Sequence, residues 1–492
     1  MLSGTMLPSK RYYGIFKEGS KINQIICAVL INLPVFAYGA CVGWMSPMTL
    51  LLQSKDSPTD VPVSNLHISW MASISYLICV PSDFLSAYMA DKFGRKFSLM
   101  FISASCAVSW ILMLSSVNVY VMITARALVG IIMGGSFVAC PLYTKEISDD
   151  SIRGALGCLV ILFQTSGNLF MYIIGDVLSY RTILWICLFL PVFHLIVFMG
   201  MPESPSYLVK TGKDEEAQRV LSWLKCRPEG DPIILRELDH IKKEQMNDAE
   251  DSKFLLKSIV TDKFLFRAFC ITLVITLGRE ICGAITVLNF AGEIFTIALG
   301  DSSAVLSANQ QAMVLGAVQV TGAMLASAVI ERTGRKGLLL ITALLSGLSM
   351  CTLASWFLSR DMGVFAPTWL PVVTLCVCIF CDSLGLQPIS VVITSEIFSY
   401  KYRGIVLAIT MSAASVLCFI QLLFFKTIAN TIGVYVAFFF FGAVCLSTAL
   451  YVYLVVPETK ARLREEIYLD LRTKKEKALD IKEKDCREVS VL

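Results

Sequence analysis

The sequence predicts an all-α polytopic membrane protein of twelve transmembrane helices in two six-helix halves. Three observations carry this. Hydrophobic residues make up 56% of the chain and charged residues 16%, against about 45–50% and about 25% in soluble domains. The apolar residues gather in runs of roughly 20, the length that crosses hydrocarbon. A set of charged loop motifs also occurs twice, about 250 residues apart.

The runs of the first half (22–201) lie near 22–44, 67–90, 97–116, 119–141, 155–177 and 181–201. Those of the second half (265–456) lie near 265–288, 311–330, 337–358, 369–393, 404–425 and 432–456. Backbone groups in lipid must be satisfied within the segment, so each run reads as a helix. Residues 1–21 are polar and basic, with Lys10, Arg11, Lys17 and Lys21 but no apolar stretch. They read as a cytoplasmic N-terminus without a cleavable signal, the first run serving as signal anchor. The linker 202–264 is charged, with short amphipathic helices predicted over Lys213–Lys225 and Pro232–Asp251. Residues 457–492 form a mixed-charge tail.

Short-loop lysines and arginines set the orientation. Lys92, Arg95 and Lys96 follow the second run, and Arg332, Arg335 and Lys336 follow the eighth. The segment 45–66 has only Lys55 and 291–310 has neither residue type, so both read as outer loops. Both termini and the linker are therefore expected in the cytoplasm.

Several function classes fall away. A net charge of +4 with no basic arm gives no reason to expect a nucleic-acid partner. Most of the 17 cysteines, such as Cys27, Cys106, Cys187 and Cys445, lie inside apolar runs and read as small buried side chains. Cys378 and Cys381, with Cys376 just before, have no second ligand pair, so no metal is expected. His67, His194 and His240 are far apart in sequence. No nucleophile–base set suggests an enzyme, no P-loop suggests an ATP-driven pump, and no cofactor is implied.

The repeat sets the architecture. The loop Asp91–Lys96 recurs as Glu331–Lys336, with Arg335 standing 240 residues after Arg95. Glu146 with Arg153 and Gly154 recurs as Glu396 with Arg403 and Gly404, and Pro202-Glu203 recurs as Pro457-Glu458. Two parallel six-helix halves follow, as in transporters that rock about a central site. Glycine in the short loop permits positive φ. Arginine pairs bidentately with carboxylates, so each motif can build a clamp at the cytoplasmic ends of the helices.

These residues resemble the sugar porter family of the major facilitator superfamily. The signatures are D-x-x-G-R-K at Asp91–Lys96, R-x-x-x-G at Arg126–Gly130 and P-x-Y-x-x-E at Pro141–Glu146. The runs Pro202-Glu203-Ser204-Pro205 and Pro457-Glu458-Thr459-Lys460 complete the set. The Gly43–Pro47 run, and Cys282-Gly283 followed by Leu288-Asn289-Phe290, look like the insect facilitated trehalose transporter branch. The resemblance implies alternating access, a solute site near the midplane, and a plasma-membrane monomer. It also implies a cytoplasmic charge network. Glu146, Arg153, Glu203, Glu331, Arg335, Glu396, Arg403 and Glu458 match it, and Asp91 and Arg95 join it through the repeat. Ser206 and Ala87 depart from the pattern, where arginine and glycine are usual.

The expected solute site departs further. The family's seventh-helix pattern Q-Q-x-S-G-x-N reads here Arg279-Glu280-Ile281-Cys282-Gly283-Ala284-Ile285. Val391 stands where the tenth helix usually has tryptophan, after Gly385, Gln387 and Pro388. Ile161 replaces a glutamine of the fifth helix, with Gln164 nearby, and Gln319 keeps an amide in the eighth. The remaining polar candidates are Gln164, Asn168, Thr286, Asn289, Gln319 and Gln387. Charges within spans are costly and face a cavity or a partner. Helical spacing puts Arg279 on a stripe with Gly283, Thr286 and Phe290. Arg279, Glu280 and Asp382 are read either as pathway residues or as structural, with Arg279 and Glu280 snorkelling near a span end or Arg279 pairing with Asp382.

The functional expectation is a facilitative carrier of trehalose or a hexose. The alternatives are a carrier of another polar or charged organic solute, with proton coupling open to Glu280 or Asp382, and a sugar sensor without flux.

Overall fold

The computed structural model describes residues 19–462 except 60, 251–254, 301–305, 365–366, 399 and 461. Most of the N-terminal segment and residues 463–492 of the tail lie outside the described residues. Among the described residues, 12 helices are long and apolar enough to cross a membrane. The first six spans are Ile22–Gln53, Asn65–Lys92, Arg95–Ser115, Val119–Ile147, Ser151–Val177 and Tyr180–Met199. The last six are Lys263–Leu299, Ala308–Ile330, Arg335–Asp361, Leu370–Ile397, Tyr402–Thr431 and Val434–Val455. The linker carries helices Pro205–Lys210, Asp214–Lys225, Pro232–Glu250 and Leu255–Thr261.

Span ends follow from their caps. The Ser64 hydroxyl accepts from the backbone N–H of His67, and the Asn118 side chain accepts from that of Tyr120. Ser307 and Gln310 form a reciprocal capping box at the start of the eighth span. The third and ninth spans instead begin after Gly94 and Gly334, at φ of +100° and +88°. Only glycine adopts such angles without strain, so the repeated loop glycine is fixed by backbone geometry.

Packing follows the repeat. The first span packs on the fifth, the second on the fourth, and the third on the fourth and sixth. The seventh packs on the eleventh, the eighth on the tenth, and the ninth on the tenth and twelfth. Across the two sets the second span packs on the eleventh and the fifth on the eighth, partners that exchange under a twofold relation. First and fifth spans meet backbone to backbone. A Cβ on Gly39 would lie 2.0 Å from the Gln164 carbonyl, and one on Gly167 would lie 2.1 Å from that of Phe36.

Two expectations change here. The segments 45–53 and 291–299, read as outer loop, are helical continuations of the first and seventh spans. The first bends at Asn32 and Trp44 and resumes as Met45–Gln53. The seventh ends its first part at Ile281 and resumes as Ala284–Leu299. Hydropathy marked where each run weakens, whereas the backbone hydrogen bonds continue past that point. The two continuations pack on each other at the face remote from the linker.

Candidate functional site

The linker-face charges form two copies of one arrangement. In the first set Arg95 sends Nη2 to Glu146 Oε1 at 2.8 Å and Nε to Oε2 at 3.0 Å. The Glu203 carboxylate accepts from the backbone N–H groups of Arg95 and Lys96, at 3.0 and 3.2 Å. In the second set Arg335 Nη2 lies 2.8 Å from Glu396 Oε1 and Nε lies 3.0 Å from it. Glu458 accepts from the N–H groups of Arg335 and Lys336, at 3.0 and 3.1 Å. Each glutamate thus satisfies orphan donors at a helix start and complements its dipole. The Ser204 hydroxyl donates to Glu146, and that of Thr459 donates to Glu396.

The other network candidates take different places. Asp91 is exposed, 3.7 Å from Arg95 and 3.5 Å from Lys210 of the linker. Arg153 donates to the carbonyl of Ser148 at 3.1 Å. Arg403 stands at the start of the eleventh span. Glu331 is in the last turns of its helix, and its side chain lies outside the described residues. Lys225 of the linker pairs with Asp149 at 2.8 Å, and Asn23 Nδ2 donates to the Trp223 carbonyl at 2.7 Å, fastening the linker to the first set.

Between the two sets lies a belt of amides, with Asn168 and Gln319 buried and Gln164 and Gln387 half-buried. Asn168 of the fifth span donates to Gln319 of the eighth at 3.1 Å. Gln387 of the tenth donates to Gln164 of the fifth at 3.2 Å. Tyr172 donates to the carbonyl of Leu288 at 2.6 Å, joining the fifth span to the resumed seventh. Thr286 accepts from Gln421 of the eleventh at 2.6 Å, and Asn289 is buried with Nδ2 on the Ile285 carbonyl.

Arg279, Glu280 and Asp382 converge. Arg279 Nε lies 3.3 Å from Asp382 Oδ1, and Arg279 Nη1 contacts Glu280 Oε1. Sequence spacing separates the faces of Arg279 and Glu280. They meet because both end a helical segment and the long guanidinium wraps back. The thiol of Cys418 donates to Glu280 Oε2 at 3.1 Å. The predicted stripe from Arg279 to Phe290 is not continuous. Gly283 turns left-handed at φ +90°, and Phe290 leaves helical geometry at φ −117°, ψ 21°. Asp382 opens a wide π-turn, Asp382–Leu386, ahead of Pro388. Proline has no N–H and cannot continue the regular ladder.

The sequence reading missed a second buried ion pair. Lys426 is 1% exposed, with Nζ 2.9 Å from Glu293 and 3.0 Å from the side-chain Oε1 of Gln53. Both charges stand just beyond the ends of the predicted runs 265–288 and 404–425, so hydropathy alone leaves them outside the spans. Tyr38, Tyr76 and Cys418 are ordinary membrane residues whose position only the fold reveals. The described cysteines are free, and among the described residues no group of His, Cys, Asp or Glu could hold a metal ion.

Residues 26–471 match the family model described as "Sugar (and other) transporter". The chain belongs to this family. A human relative, solute carrier family 2, facilitated glucose transporter member 6, is 28% identical over 475 residues, covering 91% of this chain and 90% of its own. The facilitated trehalose transporter Tret1 of Culex quinquefasciatus is 25% identical over 447 residues, covering 90% and 85%. The inward-open xylose transporter XylE of E. coli superposes with a TM-score of 0.73 at 20% identity, covering 91% of this chain and 99% of that one. At that identity the likeness establishes the fold, which is that of the major facilitator superfamily.

Family membership places the clamps and the amide belt in a transporter. The motif residues Arg95, Glu146, Arg335 and Glu396 carry the paired clamps. The positions that depart from the sugar porter pattern hold charges instead of amides, Arg279 pairing with both Glu280 and Asp382.

Proposed function

We propose that this protein is a facilitative carrier of a small sugar, trehalose or a hexose, working by alternating access. The observation that carries the reading is the amide belt between the two six-helix sets, Asn168 with Gln319 and Gln164 with Gln387. Amides offer donor and acceptor together, which is what sugar hydroxyls require. The relatives named for trehalose and glucose transport support the same solute class. Residues 22–201 and 265–456 act as two bodies joined by the linker 202–264. The clamps at Arg95 and Arg335 hold the cytoplasmic ends of each body, and Asp91, Arg153, Glu331 and Arg403 extend that network. The linker and both termini lie in the cytoplasm, and the protein works as a monomer in the plasma membrane.

A second reading, a carrier of a charged organic solute, draws support from the Arg279, Glu280 and Asp382 cluster. Uptake into proteoliposomes separates the readings. Saturable flux of labelled trehalose or glucose that ignores a pH gradient supports sugar uniport. Saturable sugar binding with no flux indicates a sensor, and flux confined to charged solutes retires the sugar assignment.

A further inference from the structure

The cluster in the seventh and tenth spans sets two carboxylates against one guanidinium. Arg279 contacts both Glu280 and Asp382. The groups around them are neutral thiols and phenols. Cys282 and Cys418 lie beside the cluster from the seventh and eleventh spans. Tyr38 and Tyr76, of the first and second spans on the opposite six-helix set, are near enough to Glu280 to feel its charge. Arg126 lies beyond the two tyrosines, and its guanidinium is spent on the carbonyls of Cys41 and Met71, at 2.6 and 3.1 Å. With both acids ionised the cluster carries one negative charge more than its arginine balances. Such a charge is costly in a membrane interior unless a partner arrives.

A second observation points the same way. Asn289 is 1% exposed, its amide faces the Tyr76 hydroxyl, and its Oδ1 has no donor among the described residues. A buried acceptor without a hydrogen bond thus stands near a cluster whose acids outnumber its one cation. Glu280 sits where the two sets meet, between the seventh span and the tyrosines of the first and second.

We propose that this cluster receives the ammonium group of a singly charged polyhydroxylated amine, an amino sugar in chemical class. An ammonium has three donors and no acceptor. It balances the extra carboxylate and offers a donor to Asn289 Oδ1, while the ring hydroxyls take the amides. The inference rests on the proposed carrier function and names its preferred solute.

The test is competition against labelled glucose and trehalose uptake in proteoliposomes of the full chain, at a pH where the amine is protonated. Glucosamine is compared with glucose and with N-acetylglucosamine, whose amide is neutral. Glucosamine is expected to compete at a concentration about tenfold or more below either, the scale of one charged hydrogen bond. Glu280→Gln and Asp382→Asn are each expected to bring that ratio toward one. A thermal shift of the wild-type protein by glucosamine over N-acetylglucosamine gives the same comparison without a variant. Sugar uptake with no preference for the amine overturns the inference and leaves the carrier function standing. Uptake driven by a pH gradient without amine preference also overturns it, because a proton then balances the charge. A preference that survives both substitutions overturns the cluster as its origin, and no uptake of any sugar overturns the carrier reading itself.

Discussion

Lys426 Nζ lies 2.9 Å from Glu293, and the same ammonium donates to the side-chain Oε1 of Gln53 at 3.0 Å. Three spans, the eleventh, seventh and first, are thereby tied at the face remote from the linker. The Gly292 N–H donates to Ser46 nearby at 2.9 Å, and Lys426 lies over the Phe290 ring at 5.7 Å. Lys426→Met leaves Glu293 largely buried without its cation, which costs about 3–5 kcal/mol when such a pair is broken. The expected result is a lower melting temperature in detergent and faster labelling of a cysteine placed at Gln53. Adding Glu293→Gln removes the orphaned charge and restores part of the melting temperature. Unchanged melting in Lys426→Met would show the pair to be inert.

The sequence made some of this legible and hid the rest for physical reasons. Arg95, Glu146 and Glu203 announce themselves because charges beside apolar runs are rare and their spacing recurs at Arg335, Glu396 and Glu458. The loop glycines are legible because their φ values, +100° at Gly94 and +88° at Gly334, bar other residues. The bent first and seventh spans were not legible. Trp44 and Gly283 interrupt the helix without ending the span. Lys426 and Glu293 consequently fell outside the predicted runs. The meeting of Arg279 with Asp382 crosses 103 positions and is set by the π-turn, which no local pattern encodes.

Gly283 offers a sharper test of the bent seventh span. Its φ of +90° is strained for any residue with a side chain, and an added Cβ would lie 2.4 Å from Phe441 Cδ2. Gly283→Ala is expected to destabilise the protein by the left-handed cost of about 1–2 kcal/mol plus the displaced ring. Phe441→Leu in the same chain relieves only the collision. The double variant should recover part of the melting temperature and stay below Phe441→Leu alone. Full recovery would mean that backbone strain at Gly283 is negligible.

The two arginine clamps provide a comparison within one molecule. The side chains of Arg95 and Glu146 are 6% and 10% exposed, those of Arg335 and Glu396 16% and 26%. Lysine keeps the charge and loses the forked geometry. Arg95→Lys is expected to lower the melting temperature more than Arg335→Lys, because a drier pair leaves a costlier orphan. The clamps share no partner among their described contacts, so the double variant should be additive within about 0.5 kcal/mol. A large coupling would show that the two sets communicate through these ends.

Glu203 and Glu458 perform the same capping task in opposite electrostatic settings. Burial is the largest influence on each, and in Glu203 it prevails over the N–H groups of Ser204, Lys96 and Arg95, pushing the carboxyl above its ordinary 4.5. In Glu458 burial is outweighed by the N–H groups of Lys460, Arg335, Lys336 and Thr459, which hold the carboxyl below 4.5. Linkage then gives opposite signs. The contribution of Glu458 is present above its ordinary value and is lost as pH falls through the depressed one. The contribution of Glu203 is present below its ordinary value and is lost as pH rises through the raised one. Melting curves of Glu458→Gln and Glu203→Gln across acidic pH should diverge from wild type with opposite slopes. The deficit of Glu458→Gln shrinks on acidification, while Glu203→Gln gains on wild type as pH rises. Parallel slopes would mean that the tighter burial of Glu203 does not govern its proton.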